Sequence, residues 1–243
     1  MRAVYRSLKS QDITFWIVVA PNKATIYPDK LPAQIKSLPT PSRLDQFATL
    51  LKTHHLPILV DLRPSLQAAR ANRDVYFKEN NTHWNGYGAF VAYTAVINAL
   101  RSSYPELKPY ETADLKLVPA EPGAAAPDFH FAPKNPFVRT LHLGIDKSPN
   151  KIWGTDYGYH QFSSIPDSTL PTLLMFHDSF GAYYLNDYLS MNFGKSHFVH
   201  LRNTPQYLNQ QAIQQLKPDV IIIQIVERDL DLLTNTLVNF GSQ

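Results

Sequence analysis

The chain of 243 residues contains no cysteine. This absence excludes disulfide bonds, zinc sites with thiolate ligands and a thiol nucleophile, although exported and cytosolic proteins can both lack cysteine. Long apolar runs are also missing: ITFWIVVA (13–20) and VIIIQIV (220–226) are far shorter than the ~20 residues of a membrane helix. No basic start is followed by an apolar run and a cleavage site. The sequence therefore predicts neither a signal peptide nor a transmembrane segment.

The chain also has little excess charge of either sign. The net charge is +3, and the lysines and arginines are scattered instead of forming the basic stripe that a nucleic-acid partner requires. The pairs Asp128–His130 and Asp156–His160 do not have the spacing of a zinc-binding helix motif. We therefore expect no nucleic-acid partner, no metal and no cofactor.

What is present is an alternation of short apolar runs with helical patterns, which indicates a parallel sheet covered on both faces. Strands are predicted at 13–20, 57–62, 172–176, 197–201 and 220–226, and helices at 42–55, 85–105, 179–193 and 205–216. The predicted fold is a three-layer α/β/α sandwich with a mostly parallel five-stranded sheet. The alternation of strands and helices is interrupted at about 106–170. We interpret this region as a long loop-rich insertion within a single domain spanning 1–243.

Polar residues follow four of the predicted strands. In open α/β sheets ligands bind beyond the carboxyl ends of the strands, so these residues are the ones to inspect. They are Asn22 and Lys23, then Asp61 and Arg63, then His177, Asp178 and Ser179, and finally Glu227, Arg228 and Asp229.

The stretch MFHDSFGAYY places Ser179 at the point where a strand enters a helix. Backbone N–H groups are unpaired there and the helix dipole favours negative charge, so an oxyanion near Ser179 would be stabilised. The alternative is that Asp178 or Ser179 caps the helix, as these residue types often do. A serine also needs a base such as histidine to become a nucleophile.

His83 is the best candidate for that base among nine histidines. It lies in NNTHWNGYGAF (80–90), a polar, turn-like stretch directly before a helix, where a side chain projects from a fixed scaffold. The alternative is a structural histidine that caps the helix. His177 is nearer to Ser179 in sequence, but adjacent residues at a tight turn usually diverge.

Two of these stretches together resemble a known family. Asn81-Thr82-His83-Trp84 is similar to the Asp-x-His-Trp stretch, and His177-Asp178-Ser179-Phe180 to the Gly-Asp-Ser-Phe turn, of the SGNH hydrolase-like domains of the alginate O-acetyltransferase (AlgX/AlgJ) family. The stretches APNKATIYPDKLP, DLRPSLQAAR and VIIIQIVERDL also look like that family. The resemblance covers nearly the whole chain, and the order and spacing of its motifs make it fairly specific.

The resemblance implies that Ser179 is a nucleophile and His83 its general base. The serine would accept an acetyl group and pass it to a hydroxyl of an exopolysaccharide, either alginate or another cell-surface glycan. It further implies an acyl donor delivered by a membrane acyltransferase partner and a periplasmic or other extracytoplasmic location.

Further site residues follow from the same resemblance. Asp178, Asn22, Arg63 and Arg228 would complete the oxyanion site or bind substrate, and Trp84 would stack on sugar rings. Strand-end salt bridges and ordinary packing are the alternatives for these residues.

Two departures from the family pattern bear on activity. Asn81 occupies the position of the triad aspartate, and the equivalent change in serine proteases lowers the rate by about 10⁴-fold. Either another carboxylate, Asp178, Asp156 or Glu79, orients His83, or the enzyme is slow, or it is inactive. Family members also usually have an N-terminal anchor or signal and an early glycine-containing strand, so we expect a mis-set start or a truncated gene.

Three functions follow from the sequence. The leading one is a serine-dependent O-acetyltransferase. The second is a carbohydrate esterase or deacetylase of the same fold, in which water replaces the sugar hydroxyl as acceptor. The third is a catalytically impaired glycan-binding module, for which Asn81 is the main support.

Overall fold

The computed structural model describes residues 1–36, 41–78, 81–119, 129–134, 160–165, 168–201 and 210–238. Within these ranges lie eight strands: β1 (Thr14–Ala20), β2 (Leu59–Asp61), β3 (Leu115–Pro119), β4 (Phe129–Pro133), β5 (His160–Ser164), β6 (Thr172–His177), β7 (Lys195–His200) and β8 (Val220–Val226). Six of them form one sheet in the order β2-β1-β8-β6-β7-β5, and β3 pairs with β4 separately.

All neighbours in the main sheet are parallel except β5, which is antiparallel to β7. The mostly parallel α/β sandwich is therefore confirmed, and each of the five predicted strands is present. The predicted number of strands in the sheet is wrong, because β5 adds a sixth strand from within the predicted insertion. Its sequence, HQFSS, is short and largely polar, so no apolar run marks it in the sequence.

The sheet separates two hydrophobic cores. In β1, Phe15, Ile17 and Val19 face one core, whereas Val18 and Ala20 face the other, as the two-residue period of a strand requires. All seven residues of β8, in the middle of the sheet, are buried. Strands covered on both faces have continuous apolar sequences, which is why these runs were recognisable.

Nine helices lie in the described ranges, and most of them cover the sheet. They are α1 (Arg2–Lys9), α2 (Lys23–Ile26), α3 (Ala33–Lys36), α4 (Arg43–Thr53), α5 (Arg63–Arg70), α6 (Gly86–Leu100), α7 (Asn186–Leu189), α8 (Gln210–Leu216) and α9 (Leu232–Val238). Helices α1, α4, α8 and α9 pack on one face, and α5, α6 and α7 on the other. None of these helices is both long enough and apolar enough to span a membrane.

The helix predicted at 179–193 is interrupted. A π-helical turn, Gly181–Leu185, precedes α7, and within it Tyr183 has φ −81° and ψ 79° while Tyr184 has φ 69° and ψ −23°. A positive φ is uncommon for a residue other than glycine. This interruption lies immediately after Ser179, at the carboxyl end of β6.

Candidate active site

The turn that presents Ser179 is fixed by the carboxylate of Asp178. Asp178 Oδ1 accepts the Phe180 backbone N–H at 2.8 Å, and Oδ2 accepts the Val226 backbone N–H at 2.6 Å, which ties the turn to the end of β8. Burial raises the pKa of Asp178. Asp178 therefore caps the turn, and the Ser179 side chain is not needed for that role.

The segment containing His83 is a narrow loop held at its base. Tyr76 and Trp84 form an isolated antiparallel bridge, and the Phe77 backbone N–H donates to the His83 carbonyl at 3.1 Å. The Asn85 side chain accepts the Gly88 N–H at 2.9 Å and so caps α6. Because Asn85 performs this role, His83 is not the helix cap that the sequence left as an alternative.

Close packing under this loop requires a glycine. A Cβ atom at Gly88 would lie 1.9 Å from the Val75 carbonyl oxygen, far inside contact distance. The Asn85 backbone N–H donates to the same oxygen at 3.2 Å. The first turn of α6 thus lies directly against the strand-like segment that leads into the loop.

Lys23, the third residue after β1, supports the loop from a separate segment of the chain. Its Nζ donates to the Phe77 carbonyl at 2.6 Å and to the Asn81 carbonyl at 3.2 Å. Lys23 also lines an open cavity of about 610 Å³ beside the loop, together with Tyr27, Phe77 and Lys78 among others.

The two segments bring Ser179, His83 and Asn81 together. His83 Nε2 lies 2.8 Å from Ser179 Oγ, and His83 Nδ1 lies 2.9 Å from Asn81 Oδ1. The first distance is within the roughly 2.6–3.2 Å expected of a base and its nucleophile. Asn81 Oδ1 also accepts the His83 backbone N–H at 3.0 Å. With Asn81 accepting from Nδ1–H, the Nε2 lone pair is free to accept the serine hydroxyl proton.

Burial, and to a smaller extent the positive charge of Arg228, lowers the pKa of His83 to about 4. His83 is therefore neutral at neutral pH, which is the state that a general base requires. Asn81 supplies an acceptor but no negative charge, so nothing in the triad position counteracts the effect of burial.

Two aromatic side chains pack against the imidazole. The Tyr183 ring is stacked on it at a centroid distance of 4.2 Å and an interplanar angle of 16°, and the Phe180 ring lies 4.7 Å away in a tilted orientation. Trp84 Nε1–H donates to the carbonyls of Phe180 at 3.1 Å and Tyr183 at 3.0 Å. The residue after His83 thus binds the backbone just after Ser179.

These contacts correct the expected role of Trp84. Its side chain is fully buried and its only N–H is used by two backbone carbonyls, so it is not available to stack on a sugar. Trp84 is a packing residue that joins the two halves of the site.

Arg63 is engaged in ion pairs at the end of β2. Its guanidinium contacts the Asp61 carboxylate at 2.7 Å and also binds Asp45. These carboxylates raise the pKa of Arg63 above its usual value. The structure therefore places Arg63 in the strand-end salt bridges that the sequence left as the alternative to a substrate role.

The two other expected substrate residues differ in their surroundings. The Asn22 backbone N–H donates to Glu227 Oε2 at 2.8 Å, and the Asn22 side chain does not cap α2. Arg228 is exposed, and its guanidinium lies 5.6 Å from the centre of the Phe180 ring. Arg228 is therefore an accessible cation near His83.

His177 is buried beneath the Ser179 turn. Its Nδ1–H donates to the Asp178 carbonyl at 2.8 Å, and its Nε2 accepts from Asn186 Nδ2 at 3.1 Å. Burial lowers the pKa of His177 to about 3. A Cβ at Gly181 would lie 2.5 Å from His177 Cβ, so the imidazole fills the space below the turn.

Among the carboxylates considered for orienting His83, Asp178 is bound to the backbone N–H groups of Phe180 and Val226 and not to His83. That expectation for Asp178 is wrong, because the carboxylate points into the sheet edge. Asp156 and Glu79 lie outside the described residues. In the described ranges no group of three histidine, aspartate or glutamate side chains is arranged to hold a metal ion.

Sequence reasoning placed Lys23 at the sheet edge without assigning it a role, and it did not single out Tyr183. Lys23 belongs to the quoted stretch APNKATIYPDKLP, but the backbone carbonyls that it binds have no sequence signal. Tyr183 follows Ser179 by four positions, the spacing that puts two side chains on the same face of a helix. That spacing was the one available hint.

Comparison with known proteins gives a family and a fold. The model of the family described as SGNH hydrolase-like domain, acetyltransferase AlgX, matches residues 1–138, a range that includes Asn81 and His83 but not Ser179. No curated protein matches the chain.

Several solved structures share the fold. Bacillus cereus PatB1, in a structure with a sulfonyl adduct, has a TM-score of 0.73 at 19% identity, covering 94% of this chain and 85% of that one. A DHHW family protein from Eubacterium siraeum has a TM-score of 0.66 at 16% identity, covering 97% and 88%. The O-acetyltransferase domain of Pseudomonas putida AlgJ has a TM-score of 0.58 at 19% identity, covering 100% and 84%. The matched family model spans more than half of the chain, and the chain belongs to the SGNH hydrolase-like, AlgX-type acetyltransferase family.

Proposed function

We propose that the protein is a serine-dependent O-acetyltransferase that passes an acetyl group to a hydroxyl of a glycan through an acyl-serine. The observation that carries this proposal is the chain of contacts from Ser179 Oγ to His83 Nε2 at 2.8 Å and from His83 Nδ1 to Asn81 Oδ1 at 2.9 Å. A nucleophile, a base and a group that orients the base are the parts that acyl transfer needs.

The proposed reaction has two half-reactions. In the first, His83 Nε2 takes the Ser179 hydroxyl proton while Oγ bonds to the acetyl carbon, and the donor's leaving group departs with that proton. In the second, His83 takes a proton from the acceptor hydroxyl, whose oxygen bonds to the acetyl carbon as the bond to Oγ breaks. The proton then returns to Oγ, which restores the enzyme.

The Ser179 backbone N–H is the first donor that we assign to the oxyanion, because it opens the helical turn after β6. The Asn22 side chain, at the end of β1, is the second. Arg228 is assigned to substrate binding, since its cation is exposed beside the Phe180 ring.

Asn81 explains why we expect a slow enzyme instead of an inactive one. Its amide oxygen fixes the tautomer and the orientation of His83, which is one of two tasks of a triad aspartate. The other task, stabilising the imidazolium by charge, is beyond a neutral amide. A changed triad that keeps its geometry and loses its charge should retain part of its rate.

For the acceptor we propose an extracytoplasmic polysaccharide, with the acetyl group supplied by a membrane acyltransferase partner. Family membership supports acetyl transfer, and the name of the AlgJ structure identifies an O-acetyltransferase domain. The glycan acceptor is what the resemblance of the sequence motifs implies. Alginate is one such acceptor. An esterase of the same fold uses the same first half-reaction and differs only in accepting water.

The test is to mix the protein with a chromogenic acetyl ester and follow product release together with the mass of the Ser179 peptide. We expect a 42-Da acetyl adduct, about one per chain, that is absent from Ser179→Ala and forms at least about tenfold faster in Asn81→Asp. A sulfonyl fluoride is a second probe, because a sulfonyl adduct is named for PatB1. Adding oligosaccharides then separates transfer from hydrolysis: transfer predicts acetylated sugar, and an esterase releases acetate alone.

A catalytically impaired glycan-binding module is the second candidate, favoured by Asn81. It predicts no adduct in the parent protein and an adduct once Asn81 is changed to aspartate. Absence of an adduct in both proteins, with the fold intact, would contradict the assigned nucleophile.

A further inference from the structure

The imidazole of His83 is in contact with a ring face. The Tyr183 ring stacks on it at 4.2 Å with an angle of 16° between the planes, so the π-electron face, and not the ring edge, meets His83. The Phe180 ring approaches at 4.7 Å but is tilted by 44°. Tyr183 is therefore the aromatic residue whose geometry suits an interaction with a charge on the imidazole.

The backbone that presents Tyr183 is not a regular helix. Tyr183 has ψ 79° and Tyr184 has φ 69°, a left-handed conformation that costs energy for a residue with a side chain. Trp84 Nε1–H bonds to the Phe180 and Tyr183 carbonyls and holds this interruption in place. The strained segment is thus fixed by the neighbour of His83, which maintains the stacking.

The charges around His83 leave its protonated form poorly stabilised. Asn81 is neutral, Arg228 is a cation at the end of β8 that disfavours a second positive charge, and the Lys23 ammonium is bound to the Asn81 carbonyl. Asp178, in the turn that bears Ser179, directs its carboxylate to two backbone N–H groups. Both proposed half-reactions nevertheless pass through an imidazolium.

We propose that Tyr183 is a positioning residue that stabilises the protonated His83 through its π face, taking over part of the task that a triad aspartate performs by charge. Ring faces attract cations within about 6 Å of the centroid, and the attraction increases where water is excluded. The catalytic consequence rests on the proposed function, whereas the effect on the protonation of His83 does not.

The test compares Tyr183→Leu with Tyr183→Phe. Leucine keeps an apolar cover but has no π face, and phenylalanine keeps the face and removes only the hydroxyl. Titration of ¹⁵N-labelled histidine by NMR should show that Leu lowers the pKa of His83 by about 0.5, whereas Phe changes it by less than about 0.2. His177 serves as an internal reference, since it lies on the other side of the turn and its pKa should stay unchanged.

The kinetic arm uses the acetyl ester. Tyr183→Leu should lower the rate constant of acyl-enzyme formation about threefold, the factor that corresponds to half a pKa unit, with KM unchanged. In the Asn81→Asp background the same change should have a smaller effect, because the carboxylate then stabilises the imidazolium. A purely structural role for Tyr183 predicts equal losses in both backgrounds.

Three outcomes would overturn the proposal: an unchanged or raised pKa of His83 in Tyr183→Leu, a Phe variant that behaves like Leu, or equal rate losses with and without Asp at position 81. If the parent forms no acyl-enzyme but Leu still lowers the pKa of His83, the proposed function fails and the stabilising contact stands.

Discussion

Two histidines lie close to Ser179, and they differ in chain position, in degree of burial and in hydrogen bonding: His83 is half-buried and His177 is buried. His177 precedes the serine by two positions, whereas His83 is 96 positions away in the chain. Burial is the largest cause of a lowered pKa in both. Only His83 reaches Ser179 Oγ, because a strand that enters a tight turn sends successive side chains in different directions.

The hydrogen bonds of the two rings explain the contrast. Both nitrogens of His177 are used within the turn, by the Asp178 carbonyl and the Asn186 side chain. His83 uses one nitrogen for Asn81 and presents the other to the serine. A lowered pKa therefore marks a buried histidine, and the partner of each nitrogen distinguishes a structural histidine from a candidate base.

The strongest way to break this comparison is to make the same substitution at both positions. His83→Gln should lower the rate of acyl-enzyme formation by at least about 10³-fold, because the base is lost. Its free energy of unfolding should change by no more than about 1 kcal/mol, since the ring is only half-buried. Rates with the acetyl ester and urea unfolding curves measure the two effects.

His177→Gln is the matched control and should show the reverse. Loss of a fully buried ring and of its hydrogen bonds should cost about 2–4 kcal/mol of stability. At a temperature where the variant is folded, it should still form the Ser179 adduct. A stable His177→Gln protein without adduct would contradict the assignment of His177 as a structural histidine and not a catalytic one.

The pH dependence of stability separates the residues further. The pKa of His177 is about 3 in the folded chain against 6.5 for an unperturbed histidine, so below pH 6.5 the unfolded chain binds the additional proton. Stability attributable to His177 is therefore lost as the pH falls from 6.5, by about 3 kcal/mol at pH 4. Urea unfolding between pH 7 and 4 should show a steeper decline for the parent than for His177→Gln.

Asp178 works in the opposite direction, since its pKa is raised, but it is present in both proteins and cancels in the difference. Parallel stability curves for parent and variant would contradict the assignment.

For activity, the relevant group is His83: the rate of acylation should persist down to about pH 4, where the base becomes protonated.

A smaller effect is expected from the glycine against which His177 packs. In Gly181→Ala the new methyl group would lie 2.5 Å from His177 Cβ, and the turn has to shift. We expect a loss of about 1–3 kcal/mol in unfolding free energy, together with slower adduct formation at Ser179.

Ala182→Ser provides the control for this change, because Ala182 is exposed in the same turn and should tolerate the substitution. Equal stability of Gly181→Ala and the parent would show that the space beneath the turn is not filled by His177.

The smallest effect concerns the support of His83. Lys23→Met removes the ammonium that binds the Phe77 and Asn81 carbonyls, so Asn81 should orient His83 less well. We expect a loss of about tenfold in the rate of acylation, comparable to the loss of other supporting interactions. Acylation rates of Lys23→Met and of the parent measure it.

Lys78→Met is the matched control, since Lys78 lines the same cavity but contacts the exposed Asp74 instead. Similar losses in the two variants would assign the effect to the charge of the cavity and not to the support of Asn81.

The parts of the fold that the sequence predicts are those with a strong periodic signal. The apolar runs of β1 and β8 are buried on both faces and were recognisable for that reason. The edge strand β5 was missed because its pairing with β7 is made by the backbone and needs no apolar pattern. The π-helical interruption after Ser179 was missed because the Trp84 N–H that binds its carbonyls lies in a distant segment.

The candidate site divides in the same way. Ser179 and His83 were recognisable from local turn chemistry and a family resemblance. Their contact depends on the tertiary structure, because the two residues are far apart in the chain. Trp84 was assigned to sugar binding because an aromatic residue beside a polar turn looks exposed, yet its side chain is fully buried. Arg63 had two possible roles in sequence, and only the positions of Asp45 and Asp61 distinguish them.

The separation of the two halves of the site has an evolutionary consequence. The contacts that align Ser179 with His83 come mainly from two short segments, joined by the Trp84 hydrogen bonds and supported by Lys23 and by Val226 at the end of β8. Between α6 and β6, the described residues supply none of these contacts. We therefore expect that the part of the chain between α6 and β6 can change in length and surface while the reacting atoms stay aligned, so that new acceptors can arise without a new catalytic centre.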